Sequence, residues 1–466
     1  MAPDGADARE GRRPARRPGV KPDARAGNAG ATRRARALER QREGKRDALA
    51  LARTLARVDA GEGERSRARD RSSTRGTGDR DEGWTGGWTA EAERAGDEDV
   101  GTCQPEWMWD DAPEDLRTKW LVKIRPRGTR CLVVSARGKT IARSARDGST
   151  LSTFQSGLPG GSARTTRGRA GDCFCILDCV FTGDERARRE ASSVNAPSSS
   201  TPSGEYHVLD VVAWNGASMY DCETEFRFYW ANARLTEECD ACETTNPAVG
   251  RDFRFVPTPW YECDSEGVTR CYSDGVSRAH GYEIDGLLFY HKEASYETGA
   301  TPLVLLWRDA KTSAFFDVDE GAPTVLDRAG VRLPGNATRA QIITLSKSAD
   351  GNFFVTGDDE PVVIAAVQAV APASECVDPP SALEPGRSAR FLVGPAGFDV
   401  DVDTAIVRAA DVHYLGPKPP SRRKKVAERA DALSKILFNA RARTSPLSIE
   451  RLVRVAGLDA MDNDAT

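Results

Sequence analysis

The sequence predicts an α+β chain with antiparallel sheets, preceded by a disordered, basic helical arm. Three observations predict it. Residues 1–80 carry 22 basic and 12 acidic side chains, whereas the remaining 386 carry 44 and 58. Residues 1–100 hold almost no aromatic or β-branched side chains, so they cannot bury enough apolar surface to offset ordering entropy. From Glu106 to about Lys311, runs rich in β-branched and aromatic residues recur between Gly, Pro and Asp, the pattern of short strands.

The elements follow in order. In the arm, Thr32 is placed to cap a helix from Arg33 to Arg42, resumed from Lys45 to Arg57 across a weakening Gly44. Its apolar stripe is thin and ringed by cations. It therefore suits folding onto an acidic groove and equally suits a solvated charged helix. Residues 58–100 read as a Gly-, Ser- and charge-rich linker containing Trp84 and Trp88. Strands are expected at 120–124, 131–134, 174–181, 206–212, 286–290 and 302–307, with 174–181 and 206–212 forming a hairpin and a short helix at 221–235. Residues 320–415 read as a small β-rich extension. Residues 420–455 read as a helix opened by Arg422, Arg423, Lys424 and Lys425, a cluster read as a solvated helix start in preference to a nuclear-import signal.

Several classes are excluded. No apolar run approaches the roughly 18 residues of a membrane span. The opening MAPDGADAREGRR lacks the apolar centre of a signal peptide. Eleven cysteines in an unsecreted chain read as reduced thiols. Cys239 and Cys242 form a C-x-x-C followed by Cys263, Cys271 and His280, but the second pair lacks short zinc spacing, so no metal is expected.

Two constellations carry chemistry. The strand ends Glu283–Lys292 and Leu305–Arg308 have the spacing of nucleotidyltransferase motifs, where acids hold metal or ribose and cations hold phosphates. A guanylyltransferase also needs a lysine nucleophile in a Lys-x-Asp-Gly turn. The corresponding turn, Ser144 to Gly148, has Ala145 at that position. Arg146 binds phosphate but is no nucleophile, and Lys139 sits before the turn. The cleft reads as one that binds a capped end without chemistry and needs no cofactor.

Long literal stretches then point to a family. "ILDCVF", "YHVLDVVAWNG", "YDCETEFRFYWANARL", "EIDGLLFYHKEASYETGATPLV" and "GLPGGS" resemble the snurportin family of nuclear import adaptors. "RRARALERQREGKRDALALARTLA" followed by "DEGWTG" resembles its importin-β-binding segment. The resemblance spans about residues 30–90 and 105–312. It implies an mRNA-capping guanylyltransferase-like nucleotide-binding domain without the catalytic lysine, and the 2,2,7-trimethylguanosine cap of small nuclear RNA as ligand. The implied division is a basic arm at 1–60, a linker at 61–104, a cap-binding domain at 105–312 and an extension of unknown role at 313–466.

The resemblance also implies site residues. Gly128, Thr129 and Arg130 stand for the phosphate-side loop, with the family's lysine replaced by Thr129. Arg146 or Ala145 stands for a lysine of the degenerate turn, and Pro105 for a serine before Glu106-Trp107. The ungapped match puts Leu306 where the family's tryptophan stacks, with Trp307 one residue later. Either a bulge lets Trp307 stack, which is the expectation, or the cap is held differently. Arg308 matches directly. Importin β is expected to meet Arg33, Arg34, Arg36, Arg40, Arg42, Lys45, Arg46, Arg53 and Arg57. An export receptor is a further candidate partner, and a shuttling, non-enzymatic adaptor is the expected role. The rivals are an active RNA nucleotidyltransferase and a cap-binding protein without an import role.

Overall fold

The structure is a computed structural model, and it describes residues 26–43, 102–109, 111–145, 148–166, 173–183, 204–238, 240–242, 253–313, 341–358, 361–372, 378–393, 397–401, 406–409, 411–418, 430–444 and 446–458. In chain order the first elements are α1 (Ala26–Glu43), β1 (Cys103–Trp107), α2 (Leu116–Lys119), β2 (Trp120–Pro126), β3 (Thr129–Ala136), β4 (Lys139–Ser144), β5 (Thr150–Phe154), β6 (Phe174–Gly183), β7 (Gly204–Trp214) and β8 (Ala217–Ser218). Next come α3 (Thr224–Ala233), β9 (Arg254–Pro257), β10 (Trp260–Glu262), α4 (Ser265–Val276), β11 (Ile284–His291) and β12 (Gly299–Trp307). The extension adds β13 (Gln341–Lys347), β14 (Phe353–Val355), β15 (Val363–Ala366), β16 (Ala371–Pro372), β17 (Ser388–Val393), β18 (Phe398–Asp401), β19 (Ile406–Ala409), β20 (Val412–Pro417), α5 (Leu433–Thr444) and α6 (Ile449–Gly457).

The fold is α+β. One sheet has the order β1-β12-β11-β2-β10, and another runs β5-β4-β3-β6-β7-β8 with β9 also on β7. Pairing is antiparallel except for β1 on β12, β9 on β7 and β16 on β20. Period-two alternation gives each strand two destinations. In β2, Leu121 enters a core shared with Leu132, Ile176, Leu209 and Leu288 of both sheets. Trp120, Val122 and Ile124 point the other way, toward Val268 of α4 and Leu452 of α6. The far face of the second sheet buries Phe154, Phe181, Tyr206, Phe253 and Phe255.

The extension forms its own sheet, β15-β14-β13-β17-β20-β16, whose core of Ile343, Phe354, Phe391 and Tyr414 is joined by Ile436 and Phe438 of α5 and by Trp109. The expected single helix at 420–455 is two helices, because Pro446 between them lacks a backbone N–H and restricts the residue before it. Its basic opening at 422–425 lies outside the described residues. Strands β4 and β5 and helix α4 were not among the expected elements.

The arm differs from expectation in two ways. Helix α1 begins at Ala26, so Thr32 lies inside it and is no cap. It is also docked: Ala37 is 1% exposed and packs on Ala294 and Leu303. Glu43 is the last described residue of the helix. The expected stretch from Lys45 to Arg57 and the linker tryptophans lie outside the described residues. Among the described residues no helix is long and apolar enough to cross a membrane.

Candidate cap-binding site

Three arginines converge at one end of the space between the first two sheets. Arg130, near the start of β3, makes a two-pronged ion pair with Asp178 of β6, Nε to Oδ1 at 3.0 Å and Nη2 to Oδ2 at 2.7 Å. Arg308, one residue beyond β12, donates to Asp285 Oδ2 at 2.6 Å and to the Asp285 carbonyl at 3.2 Å. Arg125 of β2 pairs with the same Asp285 carboxylate.

The cluster is electrostatically loaded. Burial, together with the charges of Arg308 and Arg130, pulls Arg125 down to about 9. Burial alone pulls Arg308 down to about 10. Burial also works against the charge of Arg130, but the Asp178 carboxylate overrides it and holds that guanidinium well above its usual value. Guanidinium groups stay protonated in proteins. The lowered values of Arg125 and Arg308 therefore mean cations held at an electrostatic cost, which an arriving anion would offset, whereas Asp178 already stabilises Arg130.

Tyr296 completes the cluster. Its hydroxyl donates to Asp178 Oδ2 at 2.9 Å and accepts from the Cys103 backbone N–H at 3.0 Å. Gly128 turns the chain from β2 into β3 so tightly that a Cβ there would collide with the Phe181 carbonyl oxygen. Thr129 opens β3 opposite Phe181. The degenerate turn lies alongside: the Ala145 N–H donates to the Arg130 carbonyl at 3.0 Å. Arg146 is outside the described residues. Lys139 stands at the opposite end of β4, about 17 Å away at some 3.4 Å per residue.

The structure does not bring Trp307 into this cleft. The β11–β12 register runs unbroken from Leu287/Trp307 to Tyr290/Val304, so no bulge turns Trp307 round. Leu306 faces the space between the sheets, and Trp307 faces α4 and α6. Its indole is 0% exposed and donates its N–H to the Leu447 carbonyl at 2.8 Å.

The β1–β12 register shifts instead between Pro105 and Glu106, where β12 advances from Thr301 to Leu305 and so carries the extra residues, one step before Trp107. Trp107 is half-buried. The Arg308 guanidinium lies 4.7 Å from its ring centroid, and Phe438 of α5 lies 5.0 Å away at a 59° tilt. Sequence reasoning missed Arg125 and this use of Trp107. Their signals were the alternation of β2, which puts residue 125 on the face of Leu121, and the proximity of Trp107 to the Pro105 irregularity.

The C-x-x-C pair is only half described. Cys239 lies outside the described residues, Cys263 and Cys271 are buried in the core against α4, and no metal-holding cluster occurs among the described residues. Burial raises both thiols well above their usual value.

The chain is similar to known proteins over parts of its length. Solved structures similar to the chain include "mycobacterial DNA ligase D complexed with ATP and MES", at 12% identity and TM-score 0.29, covering 71% of this chain and 98% of that one. Another, titled "Pmar-Lig_Pre.", has 10% identity and TM-score 0.33, covering 70% of each chain. The family model described as Snurportin1, m3G cap-binding domain, matches residues 103–309, the segment that holds all three arginines and Trp107. Residues 103–309 are therefore similar to the snurportin m3G cap-binding domain.

Proposed function

We propose that the chain is a nuclear import adaptor that binds the 2,2,7-trimethylguanosine cap of spliceosomal small nuclear RNAs and recruits importin β through its basic arm. The observation that carries the reading is the convergence of Arg125, Arg130 and Arg308 beside Trp107 within the matched segment. The triphosphate bridge of a cap is the anion such a cluster suits. Methylation at N7 makes the base cationic, and a cation already lies over the Trp107 ring in the form of Arg308. The cap base can take that place on the indole face, leaving Arg308 to the phosphates. The two N2 methyls remove hydrogen-bond donors and add apolar volume, so an apolar wall lacking an acceptor favours them over the monomethyl cap.

The division into arm (1–60), linker (61–104), cap-binding domain (105–312) and extension (313–466) belongs to this reading. So does shuttling between cytoplasm and nucleus with the help of an export receptor. The nucleotidyltransferase alternative is disfavoured by the absence of an amine at Ala145. Burial lowers the Lys123 amine to about 7, but it is enclosed between the sheets and donates to the Leu209 carbonyl at 2.6 Å.

Fluorescence titration of the full chain with trimethyl- and monomethyl-capped dinucleotides tests the reading. Preference for the trimethyl cap is expected, and equal affinity would refute the proposal. Deleting residues 1–60 should abolish importin β binding and spare the cap. A covalent adduct with labelled GTP would install the enzyme reading in its place.

A further inference from the structure

The edge of the sheet that carries the arginine cleft also holds helix α1, through a defined set of contacts. Arg33 pairs with Glu106 at 2.5 Å and Arg42 with Glu293 at 2.7 Å. Gln41 accepts from the Ser295 backbone N–H at 2.9 Å and donates to Glu297 at 3.1 Å. The Arg34 guanidinium lies 5.8 Å from the Trp120 ring centroid. Residues 33, 37 and 41, with 34, 38 and 42 beside them, make one continuous helical face. Ala37 and Leu38 fill its centre against Ala294 and Leu303. Arg36 and Arg40 are exposed on the opposite side.

The receiving loop is itself fixed. The Ala294 carbonyl accepts from Arg227 Nη1 at 2.8 Å and from the Thr224 hydroxyl at 3.1 Å, and Arg227 is locked to Asp210 by two bonds of 2.9 Å. The acidic edge is therefore preformed, and what can exchange is the helix. Its grip is modest, because exposed ion pairs contribute little each and, among the described residues, the apolar side chains covered are Ala37 and the partly buried Leu38.

We propose that this edge, centred on Glu293 and Glu297, is an intramolecular receptor for the basic helix, and that the helix exchanges between it and an acidic protein partner. Docked, α1 engages Arg33 and Arg42 with carboxylates of its own body, although both stay solvent-accessible, and holds Arg34 beside Trp120, while Arg36 and Arg40 are exposed. A partner that surrounds the helix with carboxylates needs both faces, so body and partner exclude each other. The exchange step rests on the import reading; the docking does not.

The experiment uses the full chain, the double variant Glu293→Lys/Glu297→Lys, and Ala37→Arg, which lies on the helix and cannot unfold the sheets. Amide hydrogen exchange of residues 26–43 is measured first. Protection in the wild type that is lost in both variants, while β3 and β6 stay protected, is expected. No protection in the wild type, or equal protection in all three, would overturn the docking. Protection that depends on protein concentration would assign the contact to a second copy and overturn the intramolecular form.

Importin β titration follows. Both variants should bind about tenfold more tightly, as when roughly nine-tenths of wild-type molecules are docked. Equal affinity of wild type and variants would overturn the exchange. Lost protection in the variants with no importin β binding by any of the proteins would overturn the import reading and leave the docking standing.

Discussion

The two tryptophans near the site separate stability from binding. Trp307 is fully enclosed between the first sheet and α6, with its N–H on the Leu447 carbonyl. Trp307→Phe removes one ring's volume and strands that carbonyl. A lost buried partner costs about 1–3 kcal/mol, and the cavity term adds to it, so a loss of about 2–4 kcal/mol is expected. Trp107 is half-buried at the cleft, under Arg308. Trp107→Ala should cost little stability, but about 1–3 kcal/mol of base stacking, which is roughly 5- to 150-fold in cap affinity. Denaturant unfolding and cap titration of both variants decide the matter. The expected pattern is a crossed one: Trp307→Phe is unstable but cap-selective, and Trp107→Ala is stable but weak. A Trp307→Phe protein of normal stability that no longer binds cap would refute the register argument and return the stacking role to Trp307.

Further outcomes are expected. Arg125→Gln should weaken capped-dinucleotide binding by about 10- to 100-fold and lower the slope of log affinity against log salt by about 0.7, as for one phosphate contact, read from titrations at several ionic strengths. Gly128→Ala should destabilise by about 1–3 kcal/mol in denaturant, because its new methyl meets the Phe181 carbonyl. Acid should destabilise the chain through His207, which burial, aided by Arg254, lowers from 6.5 to about 4. Between those values the unfolded chain binds more protons, so this stability is complete above pH 6.5 and is lost as pH falls toward 4. His291 is shifted the same way by burial. Glu205 lies 3.7 Å from His207. A denaturation midpoint followed from pH 7 to 4 should fall, and His207→Gln should flatten the curve.

The strands that alternate or run continuously apolar, such as 120–124, 174–181 and 302–307, were legible because burial on both faces leaves few other readings. Helix α4 was not, because its Ser, Gly and Thr residues carry little helical propensity and only packing against Trp307 and Tyr261 gives it a role. Arg130 and Arg308 could be read from motif position. Arg125 could not, since a cation inside a strand looks like an ordinary surface residue until the second sheet covers it. Trp307 was misplaced by one residue of register, an error that no composition reveals and that a two-residue period turns into the opposite face. The docked helix was out of reach for a further reason: its acidic receptor is assembled from Glu106 on one strand and Glu293 and Glu297 on a distant loop.

That loop has one more property. Ser295 and Glu297 face the helix, while Tyr296 between them reaches inward to the carboxylate that holds Arg130. The arginine cleft and the arm thus meet opposite sides of a single residue triplet. If phosphate draws Arg130 from Asp178, and the movement of Tyr296 weakens the hold on the helix, thermodynamic reciprocity demands the converse by the same factor. A seated helix would then lower the affinity for RNA as much as bound RNA frees the helix, and a cargo-loaded molecule would be the one most ready for its carrier.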